Sequence, residues 1–349
     1  MECLFFINPK SGAGAGEKLA QEIERFQLPG AVSRQVIFTD PARLETQVFS
    51  CATGKDLVVI CGGDGTINRV ISCLSQMDPA PAIALIPLGT GNDLARATGW
   101  YFSWEKMGLH GLYHAIKMAK ASFLDVWELS VTSGTGSKSW TFCAYAGIGC
   151  DGGVCRDFAR MEKRLKNLPV PARARRFFYI IPGLRMLFTG IAGRNRFCFQ
   201  PESSGSKPPY RREKAVQLLF LNISSYAGGA MQARDVDCSD GVLDAFLFRS
   251  CLSYLAGILF SRLSWPKGPG AVDSNNSFRF QIFQDAYLQV DGEPCGKLSG
   301  GTRCTICQKR ALPLLRPLED DLSRNSSPAA WHAEKYGHGP AGAIKPIVT

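Results

Sequence analysis

Residues 57–70 read LVVICGGDGTINRV: an apolar run, three glycines around an aspartate, and then a helix-like segment. The uninterrupted apolar run Leu57–Cys61 predicts a strand that is buried on both faces. The glycines that follow allow a sharp turn, and the spacing of apolar residues over Thr66–Leu74 predicts a helix. This stretch therefore predicts a strand, turn and helix of the kind from which parallel sheets are built.

The first third of the chain repeats this unit. Apolar runs predict further strands at Cys3–Ile7, Gln35–Phe38 and Ala82–Ile86, and amphipathic spacing predicts helices at Ala15–Phe26 and Pro41–Cys51. Alternation of this kind indicates an α/β domain with an open, mostly parallel sheet and helices on both faces. Ligands of such sheets bind at the carboxyl ends of the strands.

The pattern changes after Asp125, where strand-like runs follow one another with few helical intervals. The runs are Trp127–Thr132, Trp140–Ala146, Ala215–Ser224, Val242–Arg249, Ser277–Phe283 and Ala286–Val290. Helix-like exceptions lie near Arg156–Lys166 and Leu252–Leu263. We therefore predict a nucleotide-binding α/β domain over residues 1–128, a β-rich domain over 129–316, and a flexible tail rich in Pro, Gly and Ser over 317–349.

The formal net charge of the 349 residues is +10, and part of it is concentrated in one stretch. Eight basic residues stand against two acidic ones between Arg156 and Arg176. Such a stretch attracts polyanions, so an anionic membrane, a nucleotide triphosphate or nucleic acid fits the charge alone, and a solvated helix face fits it as well.

The apolar run Phe177–Ala192 follows the basic stretch but is interrupted by Pro182, Gly183 and Arg185. It is shorter than the roughly 18 apolar residues of a spanning helix, so we predict no transmembrane segment. A surface-dipping element and a buried core element both remain open for it. Scattered cysteines and the absence of a signal-peptide pattern at Met1 favour the reducing cytoplasm.

Three polar, glycine-rich turns follow predicted strands, at the ends of Cys3–Ile7, Leu57–Cys61 and Ala82–Ile86. Backbone amides in such turns and at helix N-termini bind phosphates. Asp64 would repel a phosphate unless a cation lies between them, and Mg²⁺ supplies that bridge. Arg96, one helical turn after Asp93, is placed to neutralise phosphate charge. The candidate phosphate-handling residues are Asn8, Lys10, Ser11, Gly62, Gly63, Gly65, Thr66, Gly89, Thr90, Asn92 and Arg96.

Several other nucleotide-binding signatures are missing from the chain. It has no G-x-x-x-x-G-K-[ST], no H-R-D-L loop and no D-F-G, so neither a P-loop enzyme nor a protein kinase is indicated. Any single Gly-rich turn is more often a plain turn than a ligand site. Three of them at successive strand ends favour a phosphate site.

The motifs together resemble the diacylglycerol kinase catalytic family, whose relatives include sphingoid-base, ceramide and soluble bacterial lipid kinases. The resemblance runs in order through NPKSG (8–12), GGDGT (62–66), PLGTGNDLAR (87–96), FLDVWELSV (123–131), YAGIGCDG (145–152), NISSYAGG (222–229), DCSDGVLD (237–244) and DGEP (291–294). It implies an N-terminal domain like that of NAD kinase and phosphofructokinase, followed by a mostly β, sandwich-like domain. It also implies ATP and Mg²⁺ as cofactors.

The resemblance assigns residue roles as well. Asp64, Asp93 and Glu293 match catalytic positions, and proton acceptance is shared between Asp64 and Glu293. Asp125 matches a substrate-binding position. Asp237 and Asp240 resemble a pair that holds a structural Mg²⁺ in some bacterial members. The plain alternative for residues 291–293 is a hairpin turn, because Asp-Gly is a strong hairpin signal.

The implied activity is transfer of the γ-phosphate of ATP to the primary hydroxyl of diacylglycerol, giving phosphatidic acid. A sphingoid-base, ceramide or other lipid substrate stays open, as does a non-catalytic nucleotide- or lipid-binding module. The implied partners are a lipid substrate at a membrane surface and anionic lipids, and a homodimer is kept open. No RNA motif or helix-turn-helix pattern indicates nucleic acid. The expected location is cytoplasmic and peripheral to the membrane.

Overall fold

The computed structural model describes residues 1–30, 32–118, 121–134, 136–165, 196–201, 212–233, 235–260 and 271–317. The predicted apolar element Phe177–Ala192 lies outside these ranges. So do the second half of the predicted basic stretch and residues 318–349 of the predicted tail.

The described residues form two compact units, one within residues 1–123 together with 312–317, and one within residues 124–311. The sequence prediction placed the domain boundaries at 128/129 and 316/317. The end of the described chain returns to the first unit, where Leu314 pairs in parallel with Ile83. A contact of this kind joins residues far apart in sequence and leaves no local pattern.

The first unit alternates strands and helices as predicted. Its elements are β1 (Glu2–Ile7), α1 (Ala15–Arg25), β2 (Ser33–Phe38), α2 (Leu44–Ala52), β3 (Leu57–Gly62), α3 (Asp64–Leu74), β4 (Ala82–Pro87), α4 (Asp93–Ala97), α5 (Trp100–Met107) and α6 (Leu109–Met118). The strands lie in the order β2-β1-β3-β4, and each neighbouring pair is parallel. The predicted open parallel sheet is confirmed.

Burial explains why these strands were readable from the sequence. In β1 and β3 nearly every side chain is buried, as continuous apolar runs in a parallel sheet require. The sequence predicted one helix after β4, the one that contains Asp93 and Arg96, whereas the structure has three helices there. Trp100 of α5 is buried and donates its indole N–H to the carbonyl oxygen of Leu315 over 2.8 Å.

The second unit is mostly β. Its elements are β5 (Ala121–Ser133), β6 (Gly136–Phe142), β7 (Tyr145–Gly149), α7 (Cys150–Leu165), β8 (Phe197–Pro201), β9 (Glu213–Ala215), β10 (Gln217–Leu221), β11 (Ser225–Tyr226), β12 (Met231–Gln232), β13 (Leu243–Phe248), α8 (Cys251–Phe260), β14 (Ala271–Asn275), β15 (Ser277–Ile282), β16 (Ala286–Val290), β17 (Glu293–Leu298) and β18 (Arg303–Leu315). The first residues of β5, up to Phe123, and the last residues of β18, from Leu312, belong to the first unit.

Two antiparallel layers enclose one apolar core in this unit. One layer has the order β14-β13-β10-β7-β16-β17, and the other contains β18, β15, β8 and β9 with β5 and β6 beside them. The core takes side chains from both layers, including Trp127, Phe142, Phe220 and Phe280. This arrangement confirms the predicted sandwich-like domain.

The predicted single run Trp140–Ala146 is two strands, because the chain leaves β6 after Phe142 and enters β7 at Tyr145. The backbone amides of the two intervening residues donate to a carboxylate of the candidate site described below. Within the described ranges, no helix is long and apolar enough to cross a bilayer.

Candidate active site

Three loops leave the same edge of the first unit's sheet. Strands β1, β3 and β4 are consecutive neighbours and parallel, so their carboxyl ends lie side by side. The loops begin at Asn8, Gly63 and Leu88. The structure thus brings together the three Gly-rich turns that the sequence predicted at successive strand ends.

Asn8 joins the first loop to the second. Its backbone amide donates to the Cys61 carbonyl over 2.9 Å, and its side-chain Nδ2 donates to Thr66 Oγ1 over 2.8 Å. Its Oδ1 accepts the backbone amide of Lys10 over 3.0 Å. Asn8 therefore fixes the first loop to the second through hydrogen bonds, while the neighbouring Lys10 is exposed.

The second and third loops pack backbone against backbone. A Cβ on Gly89 would lie 2.6 Å from the Cα of Gly63, a separation that atoms do not tolerate. A Cβ on Gly91 would lie 2.7 Å from Oδ2 of Asp64. These glycines are required for close approach of the two loops, which is a stronger constraint than the turn itself.

Asp64 holds the two loops together through both carboxylate oxygens. Oδ2 accepts the backbone amide of Asn92 over 2.7 Å, and Oδ1 accepts that of Asp93 over 2.9 Å. Asn92 has a left-handed φ of 55° and exchanges two hydrogen bonds with Gly89, at 3.0 and 2.9 Å. Asp64, which begins α3, thereby caps the N-terminus of α4.

The ionised form of Asp64 is disfavoured in this position. Burial raises the pKa of Asp64 to about 6, and the nearby charge of Asp93 acts in the same direction. The two amide hydrogen bonds oppose that shift. Asp93 itself is buried. Two neighbouring carboxylates in a desolvated position favour a bound cation, because a cation would relieve their repulsion.

Arg96 lies in the last turn of α4, the short helix that follows the third loop. Its Nε donates to the Gly91 carbonyl over 3.0 Å, and its guanidinium carbon lies 3.5 Å from the centre of the Tyr101 ring. Thr90 is exposed at the tip of the same loop. The predicted phosphate-handling residues of the first unit thus form one contiguous cluster.

The second unit carries the other predicted acidic pairs. Asp291 and Gly292 form a two-residue hairpin turn between β16 and β17, with φ values of 49° and 82°. The hairpin alternative is therefore what the structure contains. Glu293 follows directly and is exposed.

Asp291 does a different job from Glu293. Its Oδ1 accepts the amides of Ala144 and Tyr145, both over 2.9 Å, and its Oδ2 accepts that of Cys143 over 3.1 Å. Three backbone donors at a buried carboxylate fix the turn to the start of β7. Of the two acids, Glu293 is the one presented to solvent.

Asp125 lies in the interior, with 2% of its surface exposed. Its Oδ2 accepts the Gly241 amide and its Oδ1 the Gln308 side chain, each over 2.7 Å. Burial raises the pKa of Asp125, these two bonds oppose the shift, and the charges of Asp240 and Asp237 reinforce it. These contacts give Asp125 the role of holding the 237–241 loop, and substrate contact stays a prediction.

Asp237 and Asp240 are exposed and cap their own loop. Asp237 Oδ1 accepts the amide and hydroxyl of Ser239 over 3.0 and 2.8 Å, and Asp240 Oδ1 accepts the Val242 amide over 2.9 Å. Among the residues that the structure describes, no group of three or more His, Cys, Asp or Glu side chains is arranged to hold a metal. The structural Mg²⁺ stays a prediction.

The sequence reasoning missed a polar group beneath the Asp-Gly turn. Asp151 on α7 lies against two buried glutamines, Gln217 and Gln289, around Gly147. A signal was present, since each glutamine interrupts an otherwise apolar strand. A polar residue in such a position needs a buried partner.

Comparisons with known proteins agree with both units. The family profile described as diacylglycerol kinase catalytic domain matches residues 2–121, and the one described as diacylglycerol kinase accessory domain matches residues 141–294. The fold is similar to the crystal structure of a diacylglycerol kinase from Bacillus anthracis, with a TM-score of 0.61, 20% identity, and coverage of 90% of this chain and 96% of that one.

Curated relatives are similar over part of their length. The eye-specific diacylglycerol kinase of Drosophila melanogaster is 37% identical over 135 residues, 37% of this chain and 9% of that protein. Diacylglycerol kinase 1 of Arabidopsis thaliana is 26% identical over 309 residues, 83% of this chain and 42% of that protein. This chain therefore spans less than half the length of either relative. With both domains matched in order, the chain belongs to the diacylglycerol kinase family.

Proposed function

We propose that the protein is an ATP- and Mg²⁺-dependent lipid kinase that phosphorylates the primary hydroxyl of diacylglycerol to give phosphatidic acid. The substrate is taken from the relatives, which are named diacylglycerol kinases and share 37% identity or less with this chain over the matched regions. The reaction class is argued from the first unit's loops.

One observation carries the proposal: Asp64 is clamped between two Gly-rich loops with Asp93 beside it. A turn without a ligand has no need for two repelling carboxylates in a desolvated position. Burial of Asp64, reinforced by the nearby charge of Asp93, disfavours the ionised carboxylate and raises its pKa, which costs stability at neutral pH. A site that pairs these carboxylates with a cation and a phosphate chain accounts for that cost.

The donor set fits Mg²⁺. Asp64 and Asp93 offer carboxylate oxygens, and Mg²⁺ commonly binds through one or two carboxylates together with substrate phosphates. When bound there, the ion would neutralise charge on the phosphates and on the leaving diphosphate. Asp64 and Asp93 are the residues that would hold it.

The chain's own groups supply the remaining work. Glycine amides of the three loops and the Lys10 and Arg96 side chains bind phosphate oxygens. The lipid hydroxyl oxygen bonds to the γ-phosphorus, the bond from that phosphorus to the ADP oxygen breaks, and the hydroxyl proton passes to a carboxylate. Asp64 and Glu293 are the proposed acceptors.

We further propose that the protein works in the cytoplasm on the surface of anionic membranes. The net charge of +10 supports this, because anionic lipids attract basic proteins by about 1 kcal/mol for each basic residue near the surface. Flotation with vesicles of increasing phosphatidylserine content measures the attraction. Binding that does not depend on anionic lipid would contradict it.

The deciding experiment is transfer of ³²P from Mg·ATP to lipids in mixed micelles. The acceptors are diacylglycerol, monoacylglycerol, sphingosine, ceramide and phosphatidylglycerol, with NAD as a soluble control. Labelled phosphatidic acid as the main product supports the proposal. Label on another lipid would keep the mechanism and replace the substrate, and no transfer with ATP still bound would favour a non-catalytic module.

Two variants sharpen the result. Asp64→Asn should abolish transfer, because the metal-binding and proton-accepting oxygen pair is lost. Asp56→Asn changes an exposed aspartate just before β3, at the opposite end of that strand, and should leave transfer unchanged. Transfer retained by Asp64→Asn would overturn the role of Asp64.

A further inference from the structure

Gln289 is a fully buried amide in an apolar strand. It lies on β16 between Leu288 and Val290 and has no exposed surface. Burying an amide is unfavourable unless its donors and acceptor are bonded. The partners of this side chain therefore explain why it is there.

Gln289 bridges a helix and the Asp-Gly turn. Its Nε2 donates to Oδ2 of Asp151 over 2.7 Å, and its Oε1 accepts the backbone amide of Gly292 over 2.8 Å. Rotating the amide by 180° would set oxygen against carboxylate and N–H against N–H, so one orientation satisfies both partners. Gln289 thus connects Asp151 to the residue that precedes Glu293.

Asp151 is itself held from several sides. Its backbone amide donates to Oε1 of Gln217 over 2.9 Å, and its carboxylate also hydrogen-bonds to Tyr226. The Tyr226 hydroxyl lies 2.9 Å from that of Tyr254. Asp151 is therefore a fixed point at the start of α7.

Gly147 provides the space for this group. A Cβ there would lie 2.7 Å from Nε2 of Gln289, 2.9 Å from Nε2 of Gln217 and 3.0 Å from Oδ2 of Asp151. The three polar groups occupy the volume that a side chain on β7 would fill. Any residue larger than glycine would displace them.

We propose that Gln289 and Asp151 are positioning residues, which set the direction in which the hairpin turn presents Glu293. The three amides on Asp291 anchor one side of the turn, and Gln289 anchors the other at Gly292. Neither Gln289 nor Asp151 touches the reacting atoms in this proposal. The proposal rests on the proposed kinase activity, in which Glu293 takes part.

The first test compares Gln289→Leu with wild type by hydrogen–deuterium exchange on peptides that cover residues 287–296. Leucine keeps the volume but removes both hydrogen bonds, so the Gly292 amide should exchange about tenfold faster. The kcat for lipid phosphorylation should fall about 100-fold, the usual cost of a displacement of about 1 Å in a catalytic group. The KM for Mg·ATP should stay within about twofold of the wild-type value, because the substitution removes no contact of the proposed nucleotide-binding loops.

Gln217→Leu is the matched control. It removes a second buried glutamine from the same group, and its contact is with Asp151 and not with the turn. It should lower the unfolding midpoint about as much as Gln289→Leu does while the Gly292 amide stays protected. If both variants lower kcat equally at equal stability, the role of Gln289 is structural and the proposal is wrong.

Asp151 variants separate geometry from charge. Asp151→Asn keeps an acceptor for Gln289 and should retain protection of Gly292 and most of kcat, whereas Asp151→Ala should lose both. If Asn is as damaging as Ala, positioning is refuted. Wild type that transfers no phosphate would refute the proposed function, and the exchange data would then still show whether the bridge exists.

Discussion

The raised pKa of Asp64 predicts an unusual dependence of stability on pH. A carboxyl whose folded pKa lies above its unfolded value stabilises the protein fully below the unfolded pKa, and that contribution is lost as pH rises through the folded pKa. For Asp64 the two values are 3.8 and about 6. The difference corresponds to about 3 kcal/mol, which is an upper limit because the residue is partly exposed.

The assay is urea unfolding of wild type and Asp64→Asn without Mg²⁺, from about pH 4 to about pH 8. Both proteins share all other titrating groups, so their difference reports the titration of Asp64 together with its electrostatic coupling to Asp93. The stability of wild type relative to the variant should fall by up to about 3 kcal/mol between pH 4 and pH 7 and then stay level. At neutral pH the variant should not be greatly stabilised, because its amide cannot accept from both Asn92 and Asp93.

The stabilisation produced by added Mg·ADP is a second measure of the ionisation of Asp64. It should stabilise wild type more at pH 8 than at pH 5, since the cation binds the ionised carboxylate, and it should stabilise Asp64→Asn little at either pH. A difference between the two proteins that is constant with pH, or that grows as pH rises, would refute the reasoning. It would show that the two amide hydrogen bonds, which lower the pKa, outweigh burial.

Three further outcomes are expected. Gly89→Ala should weaken nucleotide binding at least tenfold and lower the free energy of unfolding by about 1–3 kcal/mol, because the added methyl group would press on Gly63. An unchanged KM for Mg·ATP together with an unchanged melting temperature would contradict the close approach of the two loops. Asn222→Ala should lower the free energy of unfolding, measured in urea, by about 2–4 kcal/mol. The reason is that the buried Trp127 indole N–H and two backbone carbonyls lose their hydrogen-bond partner. A smaller loss would mean that water replaces the amide. Glu293→Gln should abolish phosphate transfer, and its melting temperature should not change because the side chain is exposed. A kcat above about one tenth of the wild-type value would exclude Glu293 as a catalytic residue.

The first unit was readable from the sequence mainly because β1, β3 and β4 are buried on both faces. The predicted strand Leu57–Cys61 is Leu57–Gly62 in the structure, and Ala82–Ile86 is Ala82–Pro87. The Gly-rich turns were readable too, since glycine is required where Gly63 and Gly89 meet. What the sequence could not show is that Asp64 caps the third loop, because that contact joins residues 28 and 29 positions apart.

The second unit was harder to read in detail. The mostly β character was evident, but the run Trp140–Ala146 was taken as one strand. It is broken because residues 143–145 donate three amides to Asp291, which is 146 to 148 positions away. The sequence contains no signal for this break, because Cys143, Ala144 and Tyr145 are not residues that favour turns.

Patterns of residues adjacent along the chain were enough to predict the parallel sheet, the three loops at its edge, the change to a β-rich domain and the family resemblance. Contacts between distant segments were needed to show which carboxylates accept amide hydrogen bonds inside the fold and which face solvent. Asp64, Asp125 and Asp291 belong to the first group and Glu293 to the second. A carboxylate's role depends on the donors that surround it, and here those donors come from distant parts of the chain.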